Sequence, residues 1–126
     1  AIVYAMKQAG LYAAEIDYIS AHGTATPFND EMEAKAFEMS GLSRTPVNSF
    51  KGYWGHTLGA AGLIESVAAI ASLRNDTLYR SSGFETSGVP GEINVIAANR
   101  HTPLKSCLKT ASGFGGCNAA ILYQKD

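Results

Sequence analysis

The chain has 126 residues, 46% hydrophobic and 17% charged, with a formal net charge of −1. That length supports one compact domain over residues 1–126 with a real core, and the near-neutral balance excludes a nucleic-acid or acidic-membrane binder. No apolar run approaches the ~20 residues needed to cross a bilayer, and two cysteines are too few for a disulfide framework, so a reducing, cytoplasmic environment is expected.

The chain opens directly on a helical pattern with no capping residue before it, which predicts a piece of a longer protein. Ile2, Val3, Met6, Ala9 and Leu11 recur at helical spacing, and Lys7 and Gln8 mark an amphipathic helix, not a signal peptide. Gly10 is the expected stop. Ile16 to Ala21 reads as a short buried strand. Thr26 is the expected cap of the next helix, with Pro27 in its first turn and Asp30 and Glu31 near its positive end. That helix carries Met32, Ala36, Phe37 and Met39 and ends at Gly41. Thr45 to Phe50 is the next strand. Leu58 to Leu73 is apolar nearly all round, which predicts a helix buried between layers. Thr77 to Tyr79 reads as a strand, Ser81 to Gly91 as a loop, and Asn94 to Ala98 as an extended loop or a strand. Lys105 to Ser112 and Asn118 to Tyr123 alternate as two antiparallel strands. This order implies a mostly parallel sheet flanked by helices, with an antiparallel edge hairpin.

Three turns carry polar or glycine-rich chemistry. Ser20-Ala21-His22-Gly23-Thr24-Ala25-Thr26-Pro27 runs from a strand through a histidine into a helix. Ser49 to Glu65 holds Lys51, His56, Glu65 and four glycines. Ser112-Gly113-Phe114-Gly115-Gly116-Cys117-Asn118 joins the last two strands. In α/β folds ligands bind beyond the carboxyl ends of strands, where such turns lie. His22 by residue type alone is a structural histidine, but Gly23 permits a tight turn, and the hydroxyls of Thr24 and Thr26 can point the same way. His56 precedes a helix, whose N-terminus disfavours imidazole protonation. A neutral imidazole donates one hydrogen bond to a developing oxyanion. Lys51, if buried, would also keep nearby imidazoles neutral. Glu65 on an apolar helix needs a partner such as Lys51, backbone amides or a cation. Other chemistries lack their signatures. No glycine is followed by Lys-Ser/Thr, Gly113-Phe114-Gly115-Gly116 is not a dinucleotide fingerprint, and the histidines and cysteines show no paired metal spacing. His101 reads as a surface-loop residue.

The three turns, in this order and spanning nearly the whole chain, resemble the C-terminal motifs of the β-ketoacyl-acyl carrier protein synthases, the ketosynthases of fatty-acid and polyketide assembly. The resemblance implies the C-terminal half of a thiolase-like fold, with a five-stranded sheet lacking that half's first strand. It implies a decarboxylative condensation of an acyl thioester with a malonyl thioester, in which His22 and His56 are the catalytic histidines and Lys51 orders them. Thr24 and Thr26 match the pair that contacts a phosphopantetheine arm. Phe114 matches a gating phenylalanine in the turn Gly113-Phe114-Gly115, whose backbone helps form an oxyanion hole. Glu65 matches a buried structural glutamate.

The implied partners are an acyl carrier protein, which brings the phosphopantetheine, and the other ketosynthase half; the full protein is expected to be a homodimer. No cofactor or metal of its own is implied, and neither nucleic acid nor membrane. The family's nucleophilic cysteine belongs to the other half. Cys107 lies in a strand, Cys117 stands where the family usually has Thr, and Ser112 where many relatives have an aromatic. The loop Gly83 to Val89 also departs from the common pattern. This chain alone is therefore expected to be inactive. The rival expectations are a non-catalytic chain-length-factor type of partner subunit and an unrelated nucleotide- or metal-binding domain.

Overall fold

The computed structural model describes residues 1–125. Helix α1 spans Ile2–Ala9 and ends at Gly10, whose left-handed φ of 68° lets the chain turn at once. A 3-10 turn, Ala13–Glu15, leads into β1, Tyr18–Ser20. Helix α2 is Pro27–Met39, β2 is Val47–Asn48, and α3 is the single turn Lys51–Trp54. A 3-10 turn, Leu58–Ala60, runs into α4, Ala61–Arg74. The strands β3 (Thr77–Leu78), β4 (Arg100–His101), β5 (Ser106–Gly113) and β6 (Cys117–Gln124) follow.

The main sheet has the order β2-β1-β5-β6. β1 is parallel to both β2 and β5, and β5 and β6 form the expected antiparallel hairpin. A fifth position is filled at the outer edge of β2 by residues 94–96. The Val47 N–H donates to the Asn94 carbonyl at 2.9 Å, and the Ile96 N–H to the Val47 carbonyl at 2.9 Å. The segment expected as a strand at Thr77 to Tyr79 does not join this sheet. It pairs with β4 in a separate antiparallel ribbon, which makes His101 an exposed strand residue and not a loop residue.

Strand alternation assigns the two faces of the sheet. Ile19, Ala21 and Leu108 face one way and pack with Ile2, Met6, Phe37 and Leu42. Tyr18 and Cys107 face the other way and pack with Phe50, Ala69, Leu73 and Leu78. By the same alternation Lys109 points to the α4 side and Thr110 to the α2 side.

Three expectations change. In α2 the buried residues are Glu33, Ala34 and Phe37, while Met39 is exposed, so the inward face carries a carboxylate that the apolar pattern hides. Thr26 stands at the N-cap position but makes no side-chain cap; its hydroxyl lies 2.7 Å from that of Thr24. Within this chain, helix α4 packs on the sheet by one face only. Its inward face is small and polar over Ala61, Glu65, Ser66, Ala69 and Ser72 and ends on Leu73, and Leu63, Val67 and Ile70 lie on the other face. Small inward residues let the helix approach the sheet, where a Cβ on Gly62 would sit only 3.8 Å from that of Ala111.

One glycine in α3 is there because another backbone is in the way. A Cβ on Gly52 would lie 2.2 Å from the carbonyl oxygen of Ser82. Gly59, by contrast, has open space around it. We therefore expect Gly52→Ala to destabilise the fold by about 1–3 kcal/mol, the usual cost of overpacking, and Gly59→Ala to change it by less than about 0.5 kcal/mol, as surface changes do. Urea unfolding of the two variants checks this; equal effects would contradict the close approach.

Candidate functional site

The parallel strands β1, β2 and β5 end at the same edge of the sheet. His22 follows β1 and Lys51 follows β2, so two chain-distant turns meet there, while β5 pairs Lys109 with Ser20 and runs on to Gly113 before its own turn.

His22 is buried, and its backbone is held from the α2 side. Its N–H reaches Glu33 Oε1 at 3.0 Å and Thr110 Oγ1 at 3.2 Å, and the Gly23 N–H reaches Glu33 Oε2 at 2.7 Å. Thr110 donates its own hydroxyl to Glu33 Oε1 at 2.7 Å. Gly23 has φ +40°, and a Cβ there would lie 2.6 Å from that of Ser49, whose hydroxyl donates to the Gly23 carbonyl at 2.7 Å. The loop is thus closed tightly on the start of α3.

The ring of His22 is held from α3. Lys51 Nζ lies 3.3 Å from His22 Nδ1 and also donates to the His22 carbonyl oxygen. Its third contact is Glu65 Oε1 at 2.5 Å. An ammonium only donates, so Nδ1 accepts, and the proton of the neutral ring is on Nε2. Burial, and then the Lys51 charge, hold the His22 pKa below the usual histidine range.

His56 reaches the same tautomer from another partner. Its Nδ1 accepts the Leu58 N–H at 3.1 Å. Leu58 adopts the left-handed conformation, φ 53°, to aim that N–H back. The two imidazoles stand edge to face, centroids 5.2 Å apart and planes at 82°. Both Nδ1 atoms are engaged by the protein, so both rings offer an Nε2–H.

Glu65 lies between two lysines. Lys51 is on one side; Lys109 Nζ is 2.7 Å from Oε2, a contact that is an ion pair without hydrogen-bond alignment. The Lys109 protons go instead to the carbonyls of Ser20 (3.2 Å), Ala21 (3.1 Å) and Thr110 (2.7 Å).

Beside the histidines lies an open cleft of about 730 Å³, lined by Gly23, Thr24, Lys51, His56 and the loop from Ser81 to Val89. Thr24 and Thr26 present paired hydroxyls at its rim, and the φ of 57° at Ala25 between them produces that pairing. The structure therefore brings together His22, His56, Lys51, Glu65 and Thr24. It does not bring in the Phe114 side chain, which is fully exposed in the β5–β6 turn and outside the cleft wall. Gly115 and Gly116 both take a φ of 80° to make that turn. Neither cysteine is poised for attack. Cys107 is buried in β5 with its thiol pushed up to about 12 by burial, and Cys117 opens β6 on the surface.

Sequence reasoning missed Glu33, Thr110, Lys109 and the cleft-lining loop. Lys109 had a signal: it shares a strand face with the core residue Cys107, so alternation alone buries it.

The lowered His22 pKa fixes a sign for stability. The unfolded chain binds a proton more readily than the folded one, so this contribution is complete above the ordinary histidine value of about 6.5 and is lost as the pH falls from there toward the folded value. Unfolding free energies measured downward from pH 7.5 should fall more steeply for the wild type than for His22→Gln. Parallel curves would refute the buried, neutral imidazole.

A family model described as "Beta-ketoacyl synthase, C-terminal domain" matches residues 1–85. The chain is 36% identical over 129 residues to the "Putative 3-oxoacyl-[acyl-carrier-protein] synthase, mitochondrial" of Schizosaccharomyces pombe, covering 95% of this chain and 30% of that protein. Among solved structures it is similar to "The ishigamide ketosynthase/chain length factor", with TM-score 0.92, 26% identity, and coverage of 99% of this chain and 32% of that one. It is also similar to a ketosynthase bound to the hexaketide and in complex with its type II PKS acyl-carrier protein, with TM-score 0.88, 32% identity, and coverage of 98% and 31%. The chain thus spans about 30% of the length of the relatives it matches and has the thiolase-like architecture of part of them. It belongs to the β-ketoacyl synthase family, as its C-terminal domain.

Proposed function

We propose that this chain supplies the histidine pair, the ordering lysine and the pantetheine contacts of a β-ketoacyl-acyl carrier protein synthase. In the proposed reaction the malonyl thioester loses carbon dioxide. The electrons of the broken C–C bond move onto the thioester as an enolate; its α-carbon then attacks the acyl thioester carbonyl, and the acyl C–S bond breaks to release the thiolate of the cysteine that carried the acyl group. The observation that carries this reading is the pair of imidazoles 5.2 Å apart, each with Nδ1 engaged by the protein. Two aimed N–H donors stabilise the enolate oxygen as charge develops on it.

Lys51 holds His22 in the donating tautomer, and Glu65 anchors Lys51. Thr24 and Thr26 hydrogen-bond the phosphopantetheine arm, whose carrier is an acyl carrier protein; the similar ketosynthase structure with its carrier protein supports this partner. The Phe114 N–H contributes to the oxyanion hole, with Gly113 and Gly115 permitting its turn. The acyl group rides on a cysteine outside this chain, because neither Cys107 nor Cys117 has the setting of a nucleophile. The whole protein works as a cytoplasmic homodimer. A chain-length-factor type of partner subunit is the second reading, favoured by the similar structure that pairs a ketosynthase with such a factor. The intact donor pair argues for the enzyme.

In the full-length protein, His56→Ala should lower malonyl-thioester decarboxylation by at least about 100-fold, the lower range for losing one oxyanion donor. A near wild-type rate would remove His56 from the reaction. The 126-residue chain alone, incubated with an acyl thioester, should show no acyl adduct by mass spectrometry; an adduct on Cys107 or Cys117 with turnover would overturn the division of labour.

A further inference from the structure

Lys109 stands directly behind the site, yet the reaction does not use it. It is 2% exposed, in the middle of a sheet, and a lysine is rarely buried so completely without a specific role. Its ammonium touches four groups. Three are carbonyls: Ser20 and Ala21 at the end of β1, and Thr110 on β5. The fourth is the carboxylate of Glu65. Ser20 and Ala21 are the two residues that lead into His22, so Lys109 grips the base of the segment that carries the imidazole.

The charges near His22 come from four elements. Glu33 on α2 accepts its backbone N–H. Lys51 on α3 meets its ring. Glu65 on α4 and Lys109 on β5 lie behind Lys51. Asp30 on α2 is turned to the Thr24 N–H, and His56 faces the ring from its edge. Lys51, Lys109, Glu33 and Glu65 place two positive and two negative charges around His22: Glu65 joins the two lysines, and Glu33 acts from the other side through the His22 and Gly23 amides. Without Lys109 the set would hold one cation against two carboxylates, and a proton on His22 would restore the balance. At low dielectric such an imbalance acts strongly.

We propose that Lys109 is a positioning residue for His22: its ammonium completes the charge balance of the buried quartet and pins the carbonyls before His22, which keeps the imidazole uncharged with its proton on Nε2. This rests on His22 being an oxyanion donor, but it is tested without substrate.

The experiment is a carbon-13 histidine NMR titration of the full polypeptide carrying this sequence, with the His22 signal assigned by loss in His22→Gln. Lys109→Met removes the charge and keeps much of the stem. The His22 midpoint should move to higher pH in Lys109→Met and return toward the wild-type value in Lys109→Met/Glu65→Gln, where the remaining Lys51 and Glu33 again balance. The acid limb of the decarboxylation rate should shift the same way. If Lys109 only staples β1 to β5, Lys109→Met will lower the unfolding midpoint and leave the His22 titration in place, and that result overturns the proposal. Should Lys109→Met not fold, the double variant decides: a His22 midpoint well away from wild type would overturn it. A protein that titrates as described but fails to decarboxylate malonyl thioesters refutes the proposed function and leaves the role of Lys109 intact.

Discussion

The pair formed by Lys51 and Glu65 is the constraint around which the rest is arranged. Its side chains are 7% and 1% exposed, with the ions 2.5 Å apart. Burying two charges costs several kcal/mol per ion unless their mutual attraction and further hydrogen bonds offset it. Lys51 meets that requirement with three acceptors: Glu65 Oε1, His22 Nδ1 and the His22 carbonyl. Its position is therefore over-determined, and so is that of the ring it touches. An isolated ion pair would bring little stability. Here the pair makes one imidazole rigid and sets its tautomer.

The same pair explains the composition of α4. A helix that must deliver a carboxylate to a lysine across a sheet edge has to lie close to that sheet. Ala61, Ala69, Ser66 and Ser72 make the close approach possible, and both serines satisfy their own hydroxyls by donating to the carbonyl four residues back, Ser66 to Gly62 at 2.6 Å and Ser72 to Ala68 at 3.1 Å. Of the large apolar residues, Leu73 reaches the core, while Leu63, Val67 and Ile70 lie on the outer face. Backbone strain gathers at the same place. Ala25 and Leu58, two of the three non-glycine residues with positive φ among those described, lie in the threonine turn and beside His56. Each costs about 1–3 kcal/mol at such a position, and each aims a polar group: the threonine pair in one case, the N–H on His56 Nδ1 in the other.

Much of this was legible in the sequence, for definite reasons. The β5–β6 hairpin follows from alternation around a glycine-rich turn, and the end of α1 from Gly10. The meeting of His22, Lys51, His56 and Glu65 follows from strand-end turns plus the rule that a buried acid needs a partner. In the two helices the differences share one cause: residue type does not give direction. Met39 is apolar yet exposed, while Glu33, of a residue type usually solvated, is turned inward by the helix to two backbone amides. The apolar α4 pattern hid the fact that its smallest residues face the sheet. Thr77 to Tyr79 has strand composition, but its pairing partner lies more than twenty residues on, and no local pattern states that.

Engagement of both Nδ1 atoms also bears on which carbon–carbon bond-forming route the site fits. A thioester becomes a carbon nucleophile either by losing a proton from its α-carbon or by losing a carboxylate. The first route needs a base, and so a lone pair facing the substrate. In His22 and His56 the only lone pairs point inward, to Lys51 and to the Leu58 N–H. Their other nitrogens carry protons, which suits them to receive negative charge and unfits them to take a proton. A change of tautomer in His22 would set two donors face to face at 3.3 Å, Lys51 Nζ against Nδ1–H. The residues that fix these rings therefore favour the decarboxylative route proposed above, in which no proton has to be removed before the new bond forms.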